Sequence, residues 1–372
     1  MKNISIFASS LLFLASAIGN ASAKTSAHLY ANAISANNIA VMQHSILSTA
    51  MNSGDRLSSA VHDAYAPQPK QASKHIDKNT DPSKIYGRAP MYGTAPMYGE
   101  FNDDGSQGRS GGDGNQPTLG NIWIAWQHYG NDTKFDDMSR LDSNIDLVML
   151  GLAGSKTAFS HGMTEWGIYT GYIGSDQEND SLAIDENGGY FGVYKKFIFD
   201  GGKFNILSSL NGGVLSNSTE TTYGTDEYTN IWAGGALNAT YNIALDRTFT
   251  LQPALYTGYT WIKSENYTAT SGEVLKNDNF HMFELTPAIR AIKHIGNGWY
   301  GAIGAKYAIL FANGGDLDIN GITADELEFD NFTEYGLTIE KTVDNFSISA
   351  NIGRREGARD GWTGGLNLKY LF

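Results

Sequence analysis

The chain of 372 residues contains no cysteine, which removes disulfides, thiolate metal sites and thiol nucleophiles at once. The absence suits a polypeptide that crosses an oxidising periplasm before it folds. Long hydrophobic runs are lacking too. No segment approaches about 18 consecutive apolar residues, so no transmembrane helix is expected. Basic residues are in deficit: 26 Lys and Arg against 39 Asp and Glu leave a net charge of −13, the wrong sign for a nucleic-acid partner. Mean hydropathy is negative. That value does not exclude a membrane, because a barrel strand alternates lipid and lumen faces and hides its hydrophobicity from an average.

What is abundant points to strands. Aromatic residues make up 12% of the chain and glycines number 43, a composition common in barrels. The N-terminus reads as a signal peptide over residues 1–23. Lys2 supplies a positive start, an apolar stretch runs from Ile4 to Ile18, and Ala21-Ser22-Ala23 forms an A-x-A site, so cleavage is expected after Ala23. Residues 24–66 are expected to be helical. Ala33, Ile34, Ile39, Ala40, Val41, Ile46 and Leu47 recur on a loose apolar face, Gly54 weakens it, and Pro67 and Pro69 stand beyond its end. Residues 67–119 are a low-complexity linker, expected to be disordered. Tyr86-Gly87, Tyr92-Gly93 and Tyr98-Gly99 recur in it, followed by a Gly-, Asp- and Ser-rich stretch from Asp103 to Pro117.

From Gly120 to Phe372 the sequence predicts twelve strands, near 121–129, 144–152, 163–173, 189–199, 203–214, 229–242, 248–262, 279–292, 299–312, 329–341, 345–353 and 362–372. Leu251, Leu255, Tyr259 and Trp261 share one face, as do Phe283, Leu285 and Ile289, then Ile303, Tyr307, Ile309 and Phe311, and finally Trp362, Leu366, Leu368, Tyr370 and Phe372. The opposite faces carry Glu284, Arg290, Lys306, Glu340 and Lys369, and these, with Arg355, are expected to line a hydrated lumen. Connections alternate in length. Those after even strands are mostly tight, as at Asp200-Gly201-Gly202 and 342–345; those after odd strands, near 130–143, 174–188, 215–228, 263–278 and 313–328, are long and polar. This is the asymmetry of an all-β, antiparallel, up-and-down transmembrane barrel with short periplasmic turns and long outer loops, surrounded by outer-membrane lipid. The acidic residues Asp132, Asp136, Asp137, Asp176, Glu178, Asp180, Asp185 and Glu186 are assigned to those outer loops.

Gly365-Leu366-Asn367-Leu368-Lys369-Tyr370-Leu371-Phe372 resembles the C-terminal signal of outer-membrane barrels, with Leu368, Tyr370 and Phe372 as the alternating apolar positions. Residues 120–372 resemble the translocator domain of the autotransporter family (type V secretion). Asn121-Ile122-Trp123-Ile124 is similar to its opening strand and Leu251-Gln252-Pro253-Ala254-Leu255-Tyr256 to an inner one, while the helix ending near Asp55-Arg56-Leu57 resembles the linker helix that threads the pore. The resemblance implies a monomeric outer-membrane pore that needs no cofactor and depends on periplasmic chaperones and the barrel-assembly machinery. Two departures stand out: few residues precede the barrel where the family carries a large passenger, and a long linker separates the helix from the first strand.

Other motifs are weaker. Asp316, Asp318 and Asn320, followed by Gly321, match the first half of a calcium loop, but Leu327 stands where the closing Glu belongs. Asn37-Asn38 resembles the Asn-Asn junction at which some autotransporters cut themselves. His161 and His281 are isolated, Asp278 lies near His281, and no Ser-His constellation accompanies them, so no enzyme is expected. Two functions stay open: a pore that exports or displays its own short N-terminal segment, or a stand-alone outer-membrane channel or surface-structural, adhesive barrel.

Overall fold

The computed structural model describes residues 35, 38–39, 41–45, 119–134, 140–179, 182–221, 224–270, 272–320, 322–324 and 330–372. The segments expected as a signal peptide and as the Tyr-Gly linker, and most of the segment expected as helix, lie outside them. Among the described residues, twelve long strands form one closed antiparallel ring. They are β1 (Leu119–Thr133), β2 (Leu141–Gly154), β3 (Gly162–Asn179), β4 (Leu182–Phe199), β5 (Phe204–Thr221), β6 (Gly224–Tyr241), β7 (Phe249–Ser264), β8 (Phe280–Gly296), β9 (Trp299–Gly314), β10 (Phe332–Val343), β11 (Phe346–Gly357) and β12 (Arg359–Leu371). Each pairs with its neighbours in sequence, and β1 closes the ring on β12 from Asn121↔Leu371 to Thr133↔Arg359.

Register fixes the size of the ring. From Gln127 the ladder passes through Leu147, Ile173, Gly188, Leu215 and Asn230 to Ser264 on β7. In the other direction it passes through Gly365, Asn351, Thr338, Ala302 and Ile292 to Thr250, also on β7. The stagger is therefore 264 − 250 = 14 residues. Twelve strands with that stagger tilt by about 39° on a backbone radius of about 12 Å. Once inward side chains are added, such a ring leaves room for a single helix of roughly 10–12 Å diameter.

The strands are longer than predicted. Segments 174–188 and 215–228, expected as outer loops, are ladders paired as far as Asn179↔Leu182 and Thr221↔Gly224. Their polar composition marks the level where the outward face meets water, not where backbone pairing stops. The connections 265–279 and 315–331 contribute a small separate sheet of Tyr267–Thr268, Val274–Asn277, Leu317–Ile319 and Ile322–Ala324. At the opposite rim the turns are short, and the longer one after β2 is occupied by Thr157–Phe159 folded back on β3. Both ends of the barrel segment, Leu119 and Leu371, lie at this short-turn rim.

Period-2 alternation places large apolar side chains outward. Trp166, Phe191, Leu210, Ile231, Ile303 and Trp362 are each more than half exposed. The apolar faces read from the late strands point outward with them.

Candidate functional site

From β1 to β7 the lumen wall mixes buried aromatic and aliphatic side chains with buried polar ones, and a helix sits against it. Residues 35, 38, 39 and 41–45 are helical. Ile39, Val41 and Met42 are fully buried in one cluster with Trp123, Tyr169, Tyr190, Tyr194, Leu207 and Trp232. A ring this narrow, holding a helix, keeps water only where the helix leaves a gap, so its inner wall on that side packs like a protein core. Packing is close. A Cβ at Gly192 would stand 2.3 Å from the Tyr169 ring, and one at Gly234 would stand 1.7 Å from Nε2 of Gln43. Glycine at 234 thus lets the helix lie against β6, and the Gln43 amide donates to Oδ1 of Asn211 on neighbouring β5 at 3.2 Å.

The N-terminal part of the described helical residues is held by uncharged donors gathered round one carboxylate. Asn38 Nδ2 donates to Glu186 Oε1 and to Ser175 Oγ, both at 2.9 Å, and Asn38 Oδ1 accepts from Gln177 Nε2 at 3.0 Å. The Ser35 hydroxyl donates to Glu186, and Asn230 Nδ2 donates to Ser35 Oγ at 2.8 Å. Glu186, assigned above to an outer loop, is instead an inward residue of β4 and fully buried. The sequence carried the signal: Leu182, Ile184, Glu186 and Tyr190 share one parity.

The other end is held by ionisable groups. His44 Nδ1 stands 3.2 Å from Glu284 Oε1, and its Nε2 stands 2.9 Å from Lys306 Nζ. Lys306 also pairs with Glu334 at 3.0 Å, and Glu334 with Arg355 at 2.7 Å. The His44 ring tilts against Tyr256 at 4.5 Å, and Ser45 hydrogen-bonds to the Tyr129 hydroxyl. Burial holds the His44 imidazole below the usual histidine range; Lys306 acts in the same direction and Glu284 opposes it. On the short-turn side of His44 a polar cavity of about 210 Å³ is lined by Gln127, Asn238, Gln252, Arg290, Asn351 and Asn367.

The residues named from sequence therefore fall into separate places. Glu284, Lys306 and Arg355 meet at the His44 end of the helix. Arg290 donates to Gln252 Oε1 in the cavity wall. Glu340 and Lys369 are buried on inward positions near the short-turn rim. Leu368, Tyr370 and Phe372 face outward, with the Tyr370 and Phe372 rings edge to face at 5.2 Å. Asn37 lies outside the described residues, while the Asn38 amide is engaged at both its oxygen and its nitrogen. In the calcium half-match, Asn320 ends a strand with its Oδ1 accepting from the Val274 amide at 3.0 Å, and Asp318 lies within a strand. Among the described residues no group of three His, Asp or Glu is placed to hold a metal. His281 faces outward, its Nδ1 2.7 Å from the Tyr259 hydroxyl. Glu334 and Tyr129 were missed, although both sit at inward parity.

No family model matches the chain, and no curated protein does. Solved structures do. The beta domain of the Bordetella autotransporter BrkA is 15% identical with a TM-score of 0.57, over 68% of this chain and 99% of that one. The transport unit of the autotransporter AIDA-I from Escherichia coli is 16% identical with a TM-score of 0.57, over 70% and 93%. The translocator domain of the autotransporter NalP from Neisseria meningitidis is 12% identical with a TM-score of 0.55, over 69% and 90%. With twelve strands, a closed ring and these likenesses, the barrel of this chain has the fold of an autotransporter translocator domain.

Proposed function

We propose that this chain is an outer-membrane pore of the translocator type that carries its own short N-terminal segment to the outer face and keeps the helix as a stopper in the lumen. The belt of exposed apolar side chains supports the membrane setting, since a soluble surface rarely exposes so much contiguous apolar area. The outward-facing Leu368, Tyr370 and Phe372 fit recognition by barrel-assembly machinery, with periplasmic chaperones handling the unfolded chain.

The polarity of the helix carries the proposal. Tyr129, Ile145, Ser175, Glu186 and Asn217 are successive partners along the ladder. With the tilt given above, each step from β1 toward β7 climbs about 3 Å toward the long-hairpin rim. Glu186 and Asn217, which hold Ser35, thus lie about 9–12 Å nearer that rim than Tyr129, which holds Ser45. The N-terminal end of the helix faces the long hairpins, the outer side of a barrel of this kind. The chain after Ser45 has to return to Leu119 at the short-turn rim.

The absence of native cysteine makes the test clean. S26C is expected to react with a membrane-impermeant maleimide on intact cells, and Y92C only after the outer membrane is opened. Labelling of S26C only in opened cells would overturn the proposal and favour a stand-alone channel or structural barrel.

A further inference from the structure

We infer that His44 is a proton-sensitive latch: adding a proton to Nε2 frees the His44 stretch of the lumen helix from Lys306 and opens the pore. The inference rests on the proposed function and adds regulation to it. Its basis is hydrogen-bond geometry. An ammonium can only donate, so at 2.9 Å from Lys306 Nζ the His44 Nε2 must be the acceptor and carry no proton. The ring proton is then on Nδ1, pointing at the Glu284 carboxylate 3.2 Å away. This neutral tautomer satisfies both contacts simultaneously, and the protonated ring cannot: its second N–H would point into a cation. Lys306 is held in place by Glu334 at 3.0 Å, and Glu334 is itself fixed by Arg355 at 2.7 Å, so the ammonium has little freedom to withdraw.

Every strand packed on this end adds to the balance. Glu284 on β8 and Glu334 on β10 attract a charged imidazole. Lys306 on β9 repels it, Arg355 on β11 and Arg359 on β12 act on Glu334 and Glu284, and Tyr129 on β1 and Tyr256 on β7 are neutral hydroxyls. Burial and the Lys306 ammonium favour the neutral ring while the helix is docked, and the two carboxylates oppose them. Release of the helix end exposes the ring to water and removes that constraint. Proton uptake and undocking are therefore coupled. The described contacts of Ser35 and Asn38 involve no histidine, so acid swings the helix rather than expelling it. A cavity of about 210 Å³ lies beside His44, next to the contact that would open.

The test is conductance of the purified full chain in planar bilayers between about pH 7.5 and about pH 5, the range in which histidine changes charge. Wild type is expected to show open probability rising roughly tenfold toward the acid end, as a coupling of about 1.4 kcal/mol would give. H44Q keeps one donor and one acceptor but cannot titrate, and it is read for its pH slope alone, which should vanish. The chain without residues 24–66 should conduct at every pH. Heat-shifted mobility on gels verifies that each barrel is folded. A wild type flat in pH, or an H44Q slope equal to wild type, overturns the latch and leaves the pore reading standing. A helix-free barrel as closed as wild type overturns both.

Discussion

The two ends of the lumen helix are held by different chemistry. At Ser35 and Asn38, hydroxyl and amide groups converge on the single carboxylate of Glu186. At His44, a histidine joins a chain of alternating charge through Glu284, Lys306, Glu334 and Arg355. One network is hydroxyls and amides around a lone carboxylate, the other cations and carboxylates around a histidine. The contrast divides the labour: the contacts of Ser35 and Asn38 are the anchor, and the hold at His44 is conditional on the protonation of the imidazole.

The largest effect that would break this comparison falls on the anchor. E186L leaves the Ser35 hydroxyl and the Asn38 amide without their buried acceptor, and helix docking should weaken by roughly 2–4 kcal/mol. Hydrogen exchange of the helix amides reads this as an acceleration of roughly thirtyfold or more. G234L comes next. It places carbon where Gln43 lies and 2.8 Å from the Tyr259 carbonyl oxygen, so the middle of the helix should be pushed off β6 at a cost of about 1–3 kcal/mol, read by the same exchange. Smaller again is the pH effect on the conditional end. Docking lowers the His44 pKa below the free value of 6.5. The stability contributed by the neutral ring is therefore complete above that free value and is lost as pH falls through the lowered one, so docking weakens in acid and not in base. Exchange near Ser45 should accelerate before exchange near Ser35. The smallest effect sharpens the contrast between lumen and exterior. H281F removes a hydrogen bond to Tyr259 on the outward face and should leave helix protection within about 0.5 kcal/mol of wild type.

Much of the barrel was legible because period-2 alternation survives single substitutions. Leu366, Leu368, Tyr370 and Phe372 against Lys369 declare both faces of β12 without any partner strand in view. Strand ends were less legible. At Asp176, Glu178 and Asp185 the outward face turns polar while the ladder continues, and composition reports solvent rather than hydrogen bonding. The lumen charges Glu284, Lys306 and Arg355 were readable from parity, but their convergence was not, since three strands bring them together around a helix hundreds of residues earlier. Glu186 and Glu334 were missed for related reasons. Glu186 sits in an acidic run that resembles a loop, and Glu334 lies at the start of a strand whose neighbours Thr333 and Tyr335 gave little contrast. The apolar cluster of the lumen was hidden because Tyr169, Tyr190 and Tyr194 suit an aqueous channel as readily as a packed core; the helix decides between them.

The central claim is that the helix lies inside the ring with Asn38 against β3. A cross-link tests it directly in this cysteine-free chain. N38C with S175C, oxidised in membranes, should form a disulfide seen as a shifted band on denaturing gels, while N38C with S347C, whose second site is buried near the short-turn rim, should not. Equal linking of both pairs, or of neither in a correctly folded barrel, would contradict the account.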